Sequence, residues 1–403
     1  VSHVWSCGDE NNDNQSGREW DTLTGTGAAS VVTPLHGGGA FGQRAWKVNH
    51  AGAAITHQTH QFGASGNSGN EWYEGTAVQW DTLPGAECVF FAILGPIAGF
   101  IDCRLTTGGV IRLYRSDTNV QLGSDGPTLS TGTMYWIALG YNADGTAKLY
   151  VATTGGPMLL VATGAAPTVQ SSVRIRRGII TSTTGVVTFD DATVNNSAGS
   201  ANNVIPQETY IQAHRPNAAG DLNECSAGDY TSVDEVTSDE ATTLAILDAN
   251  NDDFDVNIEV SNIVFVIGVV NMRIPFVDVM IRERANSAAS ETWNARFKSQ
   301  ASGTVGTGPN QSHNDTTFQT NGDAAPRIPY AAETDPQTGA PNSLSKVATY
   351  QIGITATDAT PDVEVTQMWG NVAYEYMAVR VNPPPVLSPN ALGMTNDLLL
   401  KVA

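Results

Sequence analysis

Turn residues cut the first half of this chain into apolar runs too short for helices. The runs are "AWKVNHAG" (45–52), "EGTAVQWDTL" (74–83), "CVFFAIL" (88–94), "GFIDCRLT" (99–106), "GVIRLYRS" (109–116), "MYWIALGYN" (134–142), "AKLYVATT" (147–154), "SVRIRRGII" (172–180) and "VVTFDDATV" (186–194). Between them stand "GPIAG", "TTGG", "GSDG", "NADG" and "TSTTG". Several runs alternate with period two, as at Val110, Arg112 and Tyr114 or at Lys148, Tyr150 and Ala152. Short alternating strands at roughly ten-residue spacing predict an antiparallel sandwich. "NADG" (142–145), between two aromatic-rich runs, reads as a hairpin turn.

A chain of 403 residues exceeds what one hydrophobic core usually serves, so two domains are expected. "NNSAGSANNVIPQ" (195–207) lacks apolar periodicity and reads as the join. The reading is all-β: a jelly-roll sandwich over 1–198, a linker over 199–206, a β-rich sandwich-like domain over 207–382, and a Pro-rich exit and tail over 383–403. In the second domain "VFVIGVVNMRIPFVDVMIRER" (264–284), "TWNARFKSQ" (292–300), "VATYQIGITATD" (347–358) and "VTQMWGNVAYEY" (365–376) read as strands. The polar stretch 301–346 is too long for a plain connection and reads as a functional loop or arm.

Twenty basic against forty acidic residues give a net charge of −20. Residues 204–403 carry −15 of it (10 basic, 25 acidic). That field repels nucleic acid and anionic lipid, and favours solubility and divalent cations. The longest apolar run, "IVFVIGVV" (263–270), has core-strand length, so no membrane insertion is expected. Cys7, Cys88, Cys103 and Cys225 have no CxxC spacing and read as buried small side chains; a turn near Ile97 would place Cys103 near Phe91 and Cys88 near Thr106.

The set "VWSCGDENNDN…EW" (4–20), "MYWIALGYNADGTAKLYV" (134–151) with Tyr135 and Trp136, and "FDDATVNN" (189–196) resembles the concanavalin A-like, or laminin-G-like, jelly-roll domains. The second half resembles a segment that follows such jelly rolls in structural proteins of tailed bacteriophages. The matching features are Val233–Glu235, Asp253–Phe254, Tyr330 through Thr338–Gly339, and Trp369–Gly370. The resemblance implies a virion protein of head or tail, at the particle surface and soluble when unassembled, whose partners are copies of itself and other virion proteins.

Asp190 and Asp191 are adjacent inside a strand, where successive side chains face opposite sides, so both should not be buried on one face. In the resembled family an acid near the start joins one near the end around calcium. Here Asp9 and Glu10 with Asp190 and Asp191 would supply that structural Ca2+ site, against a solvated acid and one bonded to turn amides. "DANNDDFD" (248–255) lacks the EF-hand glycine and reads as an acidic turn. His50, His57 and His60 read as solvated. Trp72, Tyr73 and Trp80 are either core or a stacking surface for sugars. Arg174, Arg176 and Arg177 read as a contact for an acidic neighbour or a solvated strand face.

Catalysis is not expected. The Glu-x-Asp at Glu333–Asp335 lacks a third acid, and the lipase-type, Walker and zincin motifs are missing. The expected function is therefore a non-enzymatic virion structural protein, a capsid decoration, head fibre or tail component. The alternative is a carbohydrate-binding adhesin or receptor-binding protein using host-surface glycans, Trp72, Tyr73, Trp80 and calcium.

Overall fold

The computed structural model describes residues 3–7, 20–25, 28–32, 45–64, 71–94, 99–142, 145–165, 172–197, 202–235, 243–258, 272–314, 316–321, 329–358 and 360–376. They form an all-β molecule of antiparallel sheets, with only two short 3-10 turns, Tyr230–Ser232 and Leu344–Thr349. Among the described residues no helix is long and apolar enough to cross a membrane.

Residues 3–196 build a 13-stranded sheet system whose hub is the strand Ser172–Asn196. Its first half pairs with Cys88–Leu94 and its second half with Glu71–Thr82 and His3–Cys7. Ala45–Ala64 follows it along most of its length. The sequence reading puts a turn at "TSTTG"; instead one bent strand crosses from layer to layer, as strands do at sandwich corners. The register with Ala45–Ala64 breaks between Ile179 and Gly185, and Gly178 just before it sits at φ 132°, where a Cβ would meet Thr56 O at 2.3 Å. The hairpin across "NADG" pairs Met134–Asn142 with Thr146–Thr153. Cys103 stands opposite Phe91 and Cys88 opposite Leu105, and no disulfide joins the four cysteines. Trp5, Trp46, Trp80, Phe90 and Phe189 fill the core between the layers.

Residues 209–376 form two further sheets. One is centred on Val363–Tyr376, flanked by Thr209–His214 and Val277–Ala285. The other runs Pro216–Asn223, Asp253–Ile258, Gln351–Ala356, Glu291–Lys298, Gly306–His313. Val279, Ile281 and Val365 from the first sheet bury against Phe254, Trp293, Phe297 and Ile352 from the second. Much of the polar stretch 301–346 is folded rather than a free arm: it supplies Gly306–His313, Gln319–Thr320, Tyr330–Ala332 and the Leu344–Thr349 turn. "IVFVIGVV" and residues 383–403 lie outside the described residues.

The two sheet systems meet in a hydrogen-bonded seam. Ser6 Oγ donates to Asp278 Oδ2 at 2.6 Å, and Asn371 Nδ2 donates to Ser6 O at 3.2 Å. Trp136 Nε1 donates to Pro206 O at 3.1 Å. Gly75 lies under both: a Cβ there would meet the Trp136 ring at 2.7 Å and Pro206 Cγ at 3.0 Å. A glycine is what lets linker and ring close on the sheet.

Candidate functional site

Asp190 and Asp191 are both buried, 2% and 3% exposed, contrary to the alternation argument. The reason is a bulge. Asp190 pairs with Ala77 but Thr193 with Gly75, one residue too many, and Asp191 takes the extra step at φ 47°. Asp190 Oδ1 accepts Asp191 N at 3.0 Å, and Asp191 Oδ1 accepts Ile211 N at 2.9 Å across the seam. Each acid thus has a backbone amide to balance its burial. Asp9 and Glu10 lie outside the described residues.

The aromatic candidates separate. Trp72 and Trp80 are core residues, 4% and 1% exposed, with no ring face open to a sugar. Tyr73 is half-buried on the opposite face of the same strand. Its hydroxyl donates to Glu71 Oε2 at 2.9 Å, and Lys148 Nζ lies 2.7 Å from Glu71 Oε1.

The histidines are not solvated. His50, His57 and His60 are all buried. Burial, then the nearby Arg176 charge, lowers the His57 pKa to about 4. His60 stacks on Trp5 at 4.3 Å between centroids. Arg177 is not a solvated face residue either: it is fully buried, its guanidinium 4.4 Å from the Trp20 ring and its Nε 3.1 Å from Gln58 Oε1. The acidic turn at 248–255 behaves as read, with Asp252 Oδ2 accepting Ala249 N at 2.8 Å. Asp335 is a buried anchor, accepting from Ser299 Oγ at 2.6 Å and from Lys346 Nζ at 2.7 Å.

Two features escaped the sequence reading. Glu74 is fully buried, and neither carboxyl oxygen has a hydrogen-bond partner among the described residues. Burial holds its pKa well above the ordinary range. The second feature is a cluster in the other sheets, where Glu283, Glu291 and His313, all fully buried, bring one ligand-type atom each within 4.8 Å of the others. Glu283 comes from the strand Val277–Ala285, Glu291 from Glu291–Lys298, and His313 from the end of Gly306–His313, where it pairs with Glu291. His313 Nδ1 lies 2.8 Å from Glu283 Oε2. Neither oxygen of Glu291 has a hydrogen-bond partner among the described residues. Its pKa is strongly raised, first by burial and then by the Glu283 carboxyl, with Glu364 and Asp362 adding to it. No local spacing joins these three residues, so only the E/H content of their strands hinted at them.

No protein-family model matches the chain, and no curated protein sequence does. Solved structures give partial likenesses. Domain 4 of AbnA, a GH43 extracellular arabinanase from Geobacillus stearothermophilus, in complex with arabinotriose, is 15% identical over 48% of this chain and 92% of that chain, with a TM-score of 0.33. An endo-β-1,4-glucuronan lyase from the fungus Trichoderma reesei is 13% identical over 45% and 93%, with a TM-score of 0.32. Lectin I-B4 from Griffonia simplicifolia is 8% identical over 48% and 98%, with a TM-score of 0.31. At such TM-scores the likeness carries no argument for a substrate. The expectation of a chain without catalysis is nevertheless corrected. Two of these three names belong to an enzyme or an enzyme's domain. Moreover, this chain assembles two carboxyls and an imidazole from three strands with no linear motif, so missing motifs exclude nothing.

Proposed function

We propose that this chain is a structural protein of a bacteriophage particle, set on the head or tail surface, with its N-terminal sandwich presented outward and its second β unit making repeated contacts with neighbours. The observation that carries the reading is the seam. Buried side chains of each unit bond the backbone or side chains of the other, which ties the two together. A lattice protein gains from such rigidity, because symmetry multiplies modest contacts only when each copy holds one shape. The sequence resemblance of the second half to a segment that follows such jelly rolls in phage structural proteins supports the same reading. The test is to express the tagged chain in cells producing the phage and to band the particles on a density gradient. Tag in the particle band, with added density by cryo-electron microscopy, supports the proposal; tag found only as soluble monomer overturns it.

Tyr73 favours a second reading, glycan binding by the N-terminal sandwich. It is the one aromatic candidate of the three that is not buried, and Glu71 and Lys148 stand beside it as hydrogen-bonding groups. In that reading Asp9 and Glu10 would complete a calcium site with Asp190 and Asp191. A glycan array with and without chelator tests it: specific binding lost in Tyr73→Ala supports this reading, and silence removes it.

A further inference from the structure

Where the second unit's two sheets meet, Glu291 stands among acids. The charged groups acting on Glu291 are Glu283, Glu364 and Asp362, all acidic. The nearby Arg284 is spoken for, its Nε 2.6 Å from Glu364 Oε2. A buried carboxyl with two unpartnered oxygens is costly unless it stays protonated or meets a cation.

A fourth donor stands next to the three. Gln319 lies directly opposite Glu283 in the antiparallel pair of Val277–Ala285 with Gln319–Thr320, so both side chains point to the same side of the sheet. Its Oε1 is buried and has no hydrogen-bond partner. Glu283, Glu291 and His313 thus converge, with Gln319 beside Glu283, and among the described residues no donor reaches the Glu291 carboxyl oxygens or Gln319 Oε1.

We infer that Glu283, Glu291, His313 and the side-chain carbonyl of Gln319 form a binding site for a divalent transition ion of the zinc type, which ties the two sheets of this unit together. The donor chemistry selects the ion. An imidazole nitrogen with carboxylate oxygens suits zinc, which takes four ligands at about 2.0–2.2 Å, whereas calcium takes six to eight oxygens and rarely nitrogen. Charge closes as well, since two carboxylates and a neutral imidazole balance a divalent cation. Full burial leaves no route for a substrate, so the ion is structural: Glu283 reaches from one sheet, Glu291 and His313 from the other. His313 and Gln319 also flank the segment between them, which the ion would pin at both ends.

The test uses the full chain dialysed against EDTA and then titrated with Zn2+, followed by calorimetry, elemental analysis and X-ray absorption. The expected result is one zinc per chain, a raised Tm, and an absorption spectrum with one imidazole and otherwise oxygen scatterers at about 2.0–2.2 Å. Glu291→Gln is near-isosteric and removes only the charge, so it should lower Zn2+ affinity at least a hundredfold while keeping the circular dichroism of the parent. Sulfur scatterers at about 2.3 Å would place the ion on cysteine thiolates and overturn the proposal, a result that needs no variant to fold. It falls equally if no zinc is retained, if Glu291→Gln binds zinc as tightly as the parent, or if Ca2+ binds and Zn2+ does not. The last pattern but one would leave Glu291 as a protonated acid sharing its hydrogen with Glu283.

Discussion

Glu74 gives the sharpest perturbation. It stands between Leu139 on one neighbouring strand and Val194 on the other, fully buried, with no hydrogen-bond partner for either oxygen among the described residues. Burial raises its pKa well above the ordinary 4.5, so the folded chain keeps a proton that the unfolded chain releases. The unfolded state then binds fewer protons, and stability falls as pH rises above 4.5. The slope is about 1.4 kcal/mol per pH unit for as long as the folded-state proton stays on. Glu74→Gln carries no titrating proton and removes that slope. Near pH 4.5 the two proteins should be of similar stability, since a neutral acid and an amide are both under-bonded there. Above pH 4.5 the variant should gain on the parent by about 1.4 kcal/mol for each pH unit over which the folded-state proton stays on. The assay is urea unfolding followed by tryptophan fluorescence at a series of pH values, with unchanged m. Parallel pH–stability curves for the two proteins would refute the reasoning, because they would mean that Glu74 is ionised and paired in the folded state.

Three further outcomes are expected. Burial pushes the Asp335 carboxyl up, but Lys346, Ser299 and the Gln337 amide outweigh it and hold its pKa at about 2 against an ordinary 3.8. Its contribution is therefore present above pH 3.8 and lost as pH falls towards 2, and Asp335→Asn should cost about 2 kcal/mol in neutral urea titrations, less whatever solvent screens from the half-open Lys346. Asp191→Ala leaves the Ile211 amide unpaired in the seam and puts alanine at φ 47°, so it should cost about 1–3 kcal/mol by thermal or urea unfolding, while Asp191→Asn keeps most of the stability. His57 stays neutral when folded down to about pH 4 but takes a proton below 6.5 when unfolded, so it lowers stability as pH drops through that window. His57→Gln should flatten the Tm–pH curve there, beside an unchanged Arg176.

Local pattern alone determined the class of this protein. Period-two runs cut by turns demand strands, and the hairpin across "NADG" and the Cys103–Phe91 register follow from spacing because they are neighbours in sequence. Alternation also tells which residues share a strand face, but not what covers that face. Trp136 shows the limit: Tyr135 and Ile137 enter the sandwich core, and Trp136 points the other way, yet it is buried because Pro206 and the seam close over it. Likewise Trp72 and Trp80 could be read as core or surface until a second layer packed on them. Asp191 defeated alternation because a single extra residue in one strand has no signature beyond its own φ. Glu283, Glu291 and His313 meet only because two sheets stack with one particular register, a long-range fact that no short window of sequence contains.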